Sequence, residues 1–265
     1  MCLCKKVLLP LLLLSVSAVS NAQNGTIRTF DVKGQKFNMV EIEGGTFTMG
    51  GTKEQGNDAD ADEQPVHSVT LSAFCMSQTE VTQELWEAVM GNNPSIYKGK
   101  KHPVENIMHS DALQFIEKLN NLTGKTFRLP TEAEWEFAAR GGTLSQGYKY
   151  AGSDDINAVA WYGANSYDGK EETDPGYGYH DVATKAPNEL GLYDMSGNVW
   201  EFCQDWYGDY TDKAQTNPNG PAEGTDYVER GGSWTCVTEY CRVSHRNYEN
   251  PFGHGDTGIR LVLGR

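Results

Sequence analysis

The chain has 265 residues, of which 36 are acidic and 22 are basic, and its formal net charge at pH 7 is −14. A surface of this sign repels nucleic-acid phosphates and anionic lipid headgroups, so we expect neither nucleic acid nor a membrane surface as a partner. The sequence contains no serine-hydrolase elbow, phosphate-binding loop, dinucleotide fingerprint or paired-histidine zinc helix, and it therefore lacks the usual signatures of those enzyme classes.

The first 22 residues have the pattern of a cleaved signal peptide. Lys5 and Lys6 precede an apolar run over residues 7–14, and small residues end the segment at Ala22. The apolar run is shorter than the roughly 20 residues that a membrane-spanning helix needs. We therefore expect a secreted or periplasmic protein that has no membrane insertion after cleavage. The mature part, residues 23–265, is expected to form one domain with its core over residues 40–263.

Regular secondary structure is predicted for only part of the chain. Strand-like alternation of apolar and polar residues occurs at residues 37–42, 46–49, 66–74 and 259–263. Two long stretches, residues 143–187 and 207–227, are rich in Gly, Asp, Asn, Tyr and Thr and have little periodicity. Long irregular segments in a compact domain are usually functional or held in place by turns and ions. The sequence therefore predicts an α+β domain that is rich in ordered loops.

Short helices are predicted in the first half of the chain. Thr82 and Ser110 each precede apolar residues at helical spacing, and both residue types are common N-caps. The apolar residues are Leu85, Trp86, Val89 and Met90 after Thr82, and Ala112, Phe115, Ile116 and Leu119 after Ser110. A third helix is predicted from the capping box of Thr131 and Glu134, and Gly141 follows as its stop signal. The first two helices are expected to pack through one apolar face.

Residues 58–62 alternate Asp and Ala and imitate the start of a calcium-binding loop. Glu63 stands where the tight-turn glycine of such a loop belongs, and Val69 stands where its bidentate glutamate belongs. We therefore predict a solvated acidic loop at this position and not a calcium hand.

Five sequence motifs follow one another along the chain. They are GGTFTMG at residues 44–50, FRLPTEAEWE at 127–136, NELGLYDMSGNVWE at 188–201, RGGSW at 230–234 and GIRLV at 258–262. Together they resemble the formylglycine-generating enzyme family, also called the sulfatase-modifying factor family, over nearly the whole mature chain. The resemblance implies that family's fold, an α+β, loop-rich variant of the C-type lectin fold with few regular elements.

Four cysteines follow the predicted signal peptide, namely Cys75, Cys203, Cys236 and Cys241. In the enzymes of the family, two cysteines near the C-terminus bind copper(I), and O2 is used to oxidise a cysteine of a sulfatase chain to formylglycine. Cys236 and Cys241 match that motif with the same four intervening positions, and Ser233 precedes them. The resemblance implies that Cys236, Cys241 and Ser233 are catalytic and that both thiolates bind copper(I). Depressed thiol pKa values would prepare them for the metal.

Other interpretations of the same residues are open. After Cys241 the sequence departs from the enzymes, which continue with a longer arginine-rich run beside the substrate groove. Cys236 and Cys241 could instead form a disulfide, or be unrelated thiols, in a non-catalytic binding module. That module would present residues 235–239, 245–249 and 252–257 as a surface. A third hypothesis is an oxidase of another exported target. The partner is accordingly a cysteine-containing protein or peptide substrate, or an unknown surface ligand.

Asn198, Val199, Glu201 and Cys203 match a calcium site of the family. In that site the Asn and Glu side chains and two backbone carbonyls supply oxygen ligands, which a hard cation prefers. The resemblance therefore implies calcium as a second cofactor at these four residues. The alternative is that Asn198 and Glu201 only form hydrogen bonds within a turn.

Overall fold

The computed structural model describes residues 26–252 and 255–264. Its strands are β1 Ile27–Val32, β2 Gln35–Ile42, β3 Gly45–Met49, β4 His67–Leu71, β5 Phe74–Ser77, β6 Phe127–Arg128, β7 Trp200–Trp206, β8 Gln215–Thr216, β9 Tyr227–Arg230, β10 Asn247–Glu249, β11 Thr257–Gly258 and β12 Val262–Gly264. Its α-helices are α1 Gln83–Met90, α2 His109–Thr123, α3 Glu132–Ala139, α4 Ile156–Val159 and α5 Gly163–Ser166. The short elements and long connections confirm the loop-rich α+β fold.

The strands form three sheets. The largest is antiparallel, with the order β1-β2-β5-β12-β6. Its strand β12 lies between two strands from the first half of the chain, so that Leu263 pairs with both Cys75 and Phe127. A second sheet has the order β10-β9-β7-β11 and a third has the order β3-β4-β8. In these two sheets, β11 and β8 run parallel to their neighbours.

The largest sheet has an apolar core on each face. Because successive side chains of a strand point to opposite faces, Met39 belongs to the core formed with α1 and α2, while Val40 belongs to the core formed with α3. In the first core, the ring of Trp86 from α1 stacks on the ring of Phe115 from α2 at a centroid distance of 4.8 Å. Burial of each such side chain contributes about 1.5–3 kcal/mol, which fixes the short helices against the sheet.

Two of the predicted helix starts are confirmed and one is wrong. The Thr82 hydroxyl accepts a hydrogen bond from Leu85 N at the start of α1. Thr131 and Glu134 form the predicted capping box at the start of α3. Helix α2, however, begins at His109 and has Met108 at its N-cap, so Ser110 lies inside the first turn. The Asp111 carboxylate supplies the cap by accepting from Met108 N at 3.0 Å.

The predicted strands differ from the observed strands at two places. Residues 66–74 contribute to two strands, β4 and β5, because the chain turns between them, where Ser72 N donates to the Asn217 side chain at 2.8 Å. The C-terminal strand is shorter than predicted. The carbonyls of Ile259 and Leu261 instead accept hydrogen bonds from Val81 N and Ser77 N, at 2.9 and 2.8 Å.

The predicted signal peptide, residues 1–22, lies outside the described residues. Within residues 26–252 and 255–264, no helix has the length and apolar character needed to cross a bilayer.

Candidate active site

The three predicted catalytic residues lie on the segment that follows β9. Gly231 and Gly232 leave the strand with φ values of +101° and +76°, where residues with a Cβ atom are strained. A Cβ atom on Gly232 would lie 2.9 Å from Cys241 Sγ. The paired glycines therefore turn the chain and allow its backbone to pack directly against the Cys241 thiol.

Ser233 connects the Cys236 thiol to a carboxylate. The Ser233 hydroxyl oxygen lies 3.3 Å from Cys236 Sγ and donates a hydrogen bond to Asp256 Oδ2 at 2.5 Å. The Cys236 N–H donates to the Ser233 carbonyl at 3.0 Å. Two predicted catalytic residues are thus in direct contact. Asp256, which holds the serine hydroxyl, was not among the predicted catalytic residues, because it follows Ser233 by 23 positions in the sequence.

Cys236 and Cys241 share one apolar pocket. Cys241 is fully buried and Cys236 is 8% exposed, and both belong to a cluster that includes Tyr150, Tyr162 and Trp200. Both thiols are free. The disulfide of the alternative interpretation stays a prediction that a thiol count would test.

The environment of the two thiols disfavours their charged forms. Burial raises the pKa of Cys236, opposed by hydrogen bonds from Ser233 and assisted by the negative charge of Asp256. Burial also raises the pKa of Cys241 well above its usual range, and negative charge on Cys236 and Glu239 adds to this effect. The prediction of depressed thiol pKa values was therefore wrong, because the pocket is apolar and its nearby charges are negative.

The chemistry of the pocket fits copper(I). Thiol sulfurs are soft donors, and both cysteines belong to the same buried cluster. Binding of a cation would release the two thiol protons and compensate the cost of burying thiolates. Cys236 and Cys241 are therefore the residues that would hold the metal.

Buried ion pairs join the segment that follows Cys241 to the rest of the fold. Arg242 donates to both oxygens of Glu63 at 2.9 and 2.5 Å, and Arg246 donates to both oxygens of Glu132 at 2.7 and 3.0 Å. All four side chains are buried. The departure from the family pattern after Cys241 thus falls on residues that hold the domain together.

The acidic loop over residues 58–62 lies at the surface, as predicted, with Asp58, Asp60 and Ala61 exposed. Glu63, the residue directly after the loop, is fully buried against Arg242. Within the described part of the chain, Asp60, Glu63 and His245 form a group of acidic and histidine side chains with metal-ligand spacing. The Arg242 guanidinium already supplies positive charge to this group, which disfavours a metal ion there.

Two of the four predicted calcium ligands contact Glu80. The Asn198 amide nitrogen donates to one Glu80 oxygen at 2.9 Å, and Val199 N donates to the other at 3.3 Å. The Asn198 amide oxygen accepts from His180 N at 3.1 Å. Sequence reasoning missed Glu80 because it lies 118 positions before Asn198.

The other two predicted ligands, Glu201 and Cys203, lie on β7. Arg260 donates to both Glu201 oxygens at 2.7–3.1 Å, and Trp135 Nε1 donates to one of them at 2.7 Å. The backbone of Cys203 accepts a hydrogen bond from the His109 ring. Glu201 is thus held in a buried ion pair, and calcium binding would require this pair to rearrange.

Within the described residues, three buried carboxylates interact around Arg260. They belong to Glu80, Asp194 and Glu201. Burial raises the pKa of Glu80 well above its usual range, and the charges of Asp194 and Glu201 add to the shift. Burial also raises the pKa of Asp194 to about 6. This excess of negative oxygen donors fits a hard cation such as calcium, with Glu80 and Asp194 as additional donors. The calcium site itself stays a prediction.

The surface of the binding alternative carries exposed apolar side chains. Val237 is 55% exposed, Tyr248 is 53% exposed and Phe252 is 76% exposed. Residues 253–254 of this surface lie outside the described residues. Large exposed apolar side chains, when contiguous, mark interaction surfaces, and Val237 directly follows Cys236 in the sequence.

The mixed fold and the paired thiols define a protein of the formylglycine-generating type. Residues 24–264 match the sulfatase-modifying factor enzyme 1-like domain. The chain belongs to this family, as its five motifs predicted.

Similar proteins carry different names. The chain is 31% identical to "Chaperone protein LppX" of Paenibacillus barcinonensis, over 93% of this chain and 94% of that protein. It is 31% identical to the formylglycine-generating enzyme of Thermomonospora curvata, over 84% of this chain and 92% of that enzyme. The solved structure of Treponema denticola variable protein 1 has a TM-score of 0.78 and 34% identity, covering 90% of this chain and 99% of that one. Family membership therefore leaves the activity to be argued from the site.

Proposed function

We propose that this protein is an exported oxidase that converts a cysteine of a protein or peptide substrate into formylglycine, using copper and O2. The observation that carries the proposal is that Cys236 and Cys241 lie in one buried apolar cluster, with the Ser233 hydroxyl against the Cys236 sulfur. The similarity to formylglycine-generating enzymes supports a sulfatase-type substrate. Secretion or export to the periplasm is proposed from the predicted signal peptide.

The overall reaction replaces the substrate thiol by an aldehyde oxygen. One oxygen atom of O2 enters the aldehyde and the sulfur leaves as hydrogen sulfide. The other oxygen atom is reduced to water, with two electrons and two protons from an external thiol reductant. Copper(I) held by the two thiolates would supply the activation of O2.

The protein's own residues prepare the pocket. Cys236 and Cys241 provide the two sulfur ligands, and the apolar side chains around them exclude water. The Ser233 hydroxyl contacts both Asp256 Oδ2 and Cys236 Sγ, and while it donates to Asp256 its oxygen can accept a hydrogen bond from the neutral thiol. Asp256 thereby orients Ser233, and Ser233 orients the sulfur.

Copper(I) binding by the reduced mature protein tests the proposal. Wild type is expected to bind one equivalent tightly, and Cys236→Ala is expected to lose this binding. Cys75→Ala is the matched control, since Cys75 is a buried cysteine in a different core cluster. The wild-type complex should then convert the cysteine of a sulfatase-derived peptide to an aldehyde, detected by mass spectrometry. Absence of copper binding by wild type would rule out the oxidase.

A non-catalytic binding module is the second candidate. The exposed apolar side chains of Val237, Tyr248 and Phe252 favour it. In this case Cys236→Ala would leave ligand binding unchanged, whereas Phe252→Ala would weaken it. The copper experiment therefore separates the two candidates. An oxidase acting on another exported target would bind copper(I) but leave the sulfatase peptide unmodified.

A further inference from the structure

A surface groove lies between β3, the segment of residues 51–54 and the C-terminal end of α3. Its volume is about 520 Å³, which is within the size range of small-molecule sites. The lining residues that matter for its chemistry are Phe47, Thr48, Lys53, Glu54, Phe137 and Arg140. The proposed oxidase and the predicted calcium site use none of these residues, so the groove is a separate candidate site.

Two phenylalanine rings form an apolar floor in this groove. Phe47 on β3 is half-buried, and its ring lies at a centroid distance of 5.2 Å from the ring of the buried Phe137 on α3. Val66 adds an apolar side chain that is 39% exposed. An apolar ligand group of aromatic size would remove the exposed parts of Phe47 and Val66 from water, which favours its binding.

Hydrogen bonds of Arg140 fix one wall of the groove. Its Nε atom donates to Glu136 at 2.9 Å, and one terminal nitrogen donates to the Gly50 carbonyl at 2.7 Å. The other terminal nitrogen donates to Thr52 and Glu54, at 3.1 Å each. The guanidinium is thus already paired with two carboxylates, and it serves as a rigid wall and not as the charge partner of a ligand. A wall that is fixed in advance lowers the entropic cost of binding.

The charge that is left unpaired in the groove is positive. Lys53 is exposed, and it forms no salt bridge with any residue that the structure describes. The Glu54 carboxylate lines the same groove but is paired with Arg140. Burial alone would raise the pKa of Glu54, but a hydrogen bond from Thr52 and the charges of Arg140 and Lys53 outweigh burial and lower it. The groove therefore stabilises negative charge, although the whole chain has a formal net charge of −14.

We propose that this groove binds a carboxylate that carries an aromatic group, with Lys53 as the charge partner and Phe47 against the aromatic group. The hydroxyls of Thr48 and Ser145 line the same groove and can donate hydrogen bonds to a carboxylate. Lys53 disfavours a cation, and the apolar floor disfavours an anion that has no apolar part. A free aryl-alkyl acid and the C-terminal phenylalanine of a peptide both present this chemistry.

Calorimetric titration with 3-phenylpropanoate at low ionic strength tests this site. Wild type should show saturable binding that weakens as NaCl is added, because salt screens an exposed ion pair. The neutral 3-phenylpropanamide has nearly the same shape and should bind about twofold to fivefold more weakly, which is the range for one exposed ion pair. Lys53→Gln should lose the preference for the acid over the amide. Lys118→Gln is the matched control, because it removes the same charge from an exposed position of α2, outside the groove. It should keep that preference.

Thr48→Trp gives a second test that leaves the charges of the groove intact. Thr48 is exposed and lines the groove, so a larger side chain should block binding. Thr46→Trp is its control, because Thr46 is exposed on the same strand but does not line the groove. Its affinity should equal that of wild type.

Three results would overturn the proposal, namely no saturable binding by wild type, unchanged affinity in Thr48→Trp, or equal affinity of wild type for the acid and the amide. Tighter binding of acetyl-glycyl-phenylalanine than of 3-phenylpropanoate would identify a peptide C-terminus as the ligand, and weaker binding a free acid. Copper(I) binding should be the same in all these variants, so the result is independent of the oxidase.

Discussion

Arg242 and Glu63 form a fully buried ion pair although 179 positions separate them in the sequence. Burial alone would raise the pKa of Glu63, but hydrogen bonds from Arg242, the Asp60 backbone and Ser244 outweigh burial and lower it. This stabilisation is present above the ordinary glutamate pKa of 4.5 and is lost as the pH falls through the lower value of the folded protein. The pair joins the residue directly after the acidic loop to the segment directly after Cys241.

Replacement of Arg242 by Met should destabilise the protein strongly. It leaves the Glu63 carboxylate buried without its partner, which costs about 3–5 kcal/mol. Urea denaturation followed by circular dichroism measures the loss. Arg28→Met is the control, because Arg28 pairs with Glu41 at a side-chain exposure of 42%, and loss of such a surface pair costs about 1 kcal/mol or less. Equal losses in both variants would contradict a structural role of the buried pair.

The free thiols should react slowly with iodoacetamide at neutral pH. Burial raises the pKa of both Cys236 and Cys241 above the ordinary thiol value of 9.0, so little thiolate is present. Cys236 should be modified first, since it is 8% exposed whereas Cys241 is fully buried. Peptide mapping by mass spectrometry after timed quenching gives the order. Rapid modification of Cys241 at pH 7 would show that the pocket opens in solution.

Calcium should stabilise the protein at pH values above the pKa of Asp194, which burial raises from 3.8 to about 6. An acid with a raised pKa contributes stability at low pH and loses it as the pH rises through that value, because the buried charge is then unpaired. A bound cation would compensate the buried charge and restore the lost stability. At about 100 times its Kd, calcium should raise the Tm by roughly 5 °C relative to EGTA at pH 8, and much less at pH 5.

The variant Asp194→Asn should lose most of this calcium effect. Asp212→Asn, which changes an exposed carboxylate, should keep it. An identical Tm with calcium and with EGTA at pH 8 would contradict a calcium site around Glu201, and would leave its ion pair with Arg260 as a purely structural contact.

Gly197 should be far less replaceable by alanine than Gly147. Both have positive φ values, +79° and +75°, which cost an alanine about 1–2 kcal/mol. A Cβ atom on Gly197 would also overlap the carbonyl oxygen of Trp161, whereas nothing lies within 4 Å of a Cβ atom on Gly147. Gly197→Ala should therefore cost at least about 2 kcal/mol more than Gly147→Ala in the free energy of unfolding. Equal costs would show that the loop containing Trp161 can shift to make room for the added methyl group.

Local signals in the sequence predicted local features well. The capping box of Thr131 and Glu134 depends on residues three positions apart, so it was visible in the motif itself. The cap of α2 was misplaced because the Asp111 carboxylate, and not the Ser110 hydroxyl, takes the capping hydrogen bond. The family resemblance supplied the fold, which the short strands alone could not have specified.

Features that depend on distant residues were missed. Asp256 and Glu80 contact predicted site residues, yet no spacing rule connects them to Ser233 or Asn198. The thiol pKa values were wrong for a similar reason. The sequence shows which residue types are present near a cysteine, but the pKa depends on the apolar walls that fold around it.

The central place of β12 also constrains how the molecule can be made. A ribosome translates this strand after all the other described elements, and until then β5 and β6 lack the neighbour that joins them. Pairing over such long sequence distances is slow, since the entropy of closing a large loop is lost before the contacts form. The nascent polypeptide should therefore remain incompletely folded until β12 has left the ribosome.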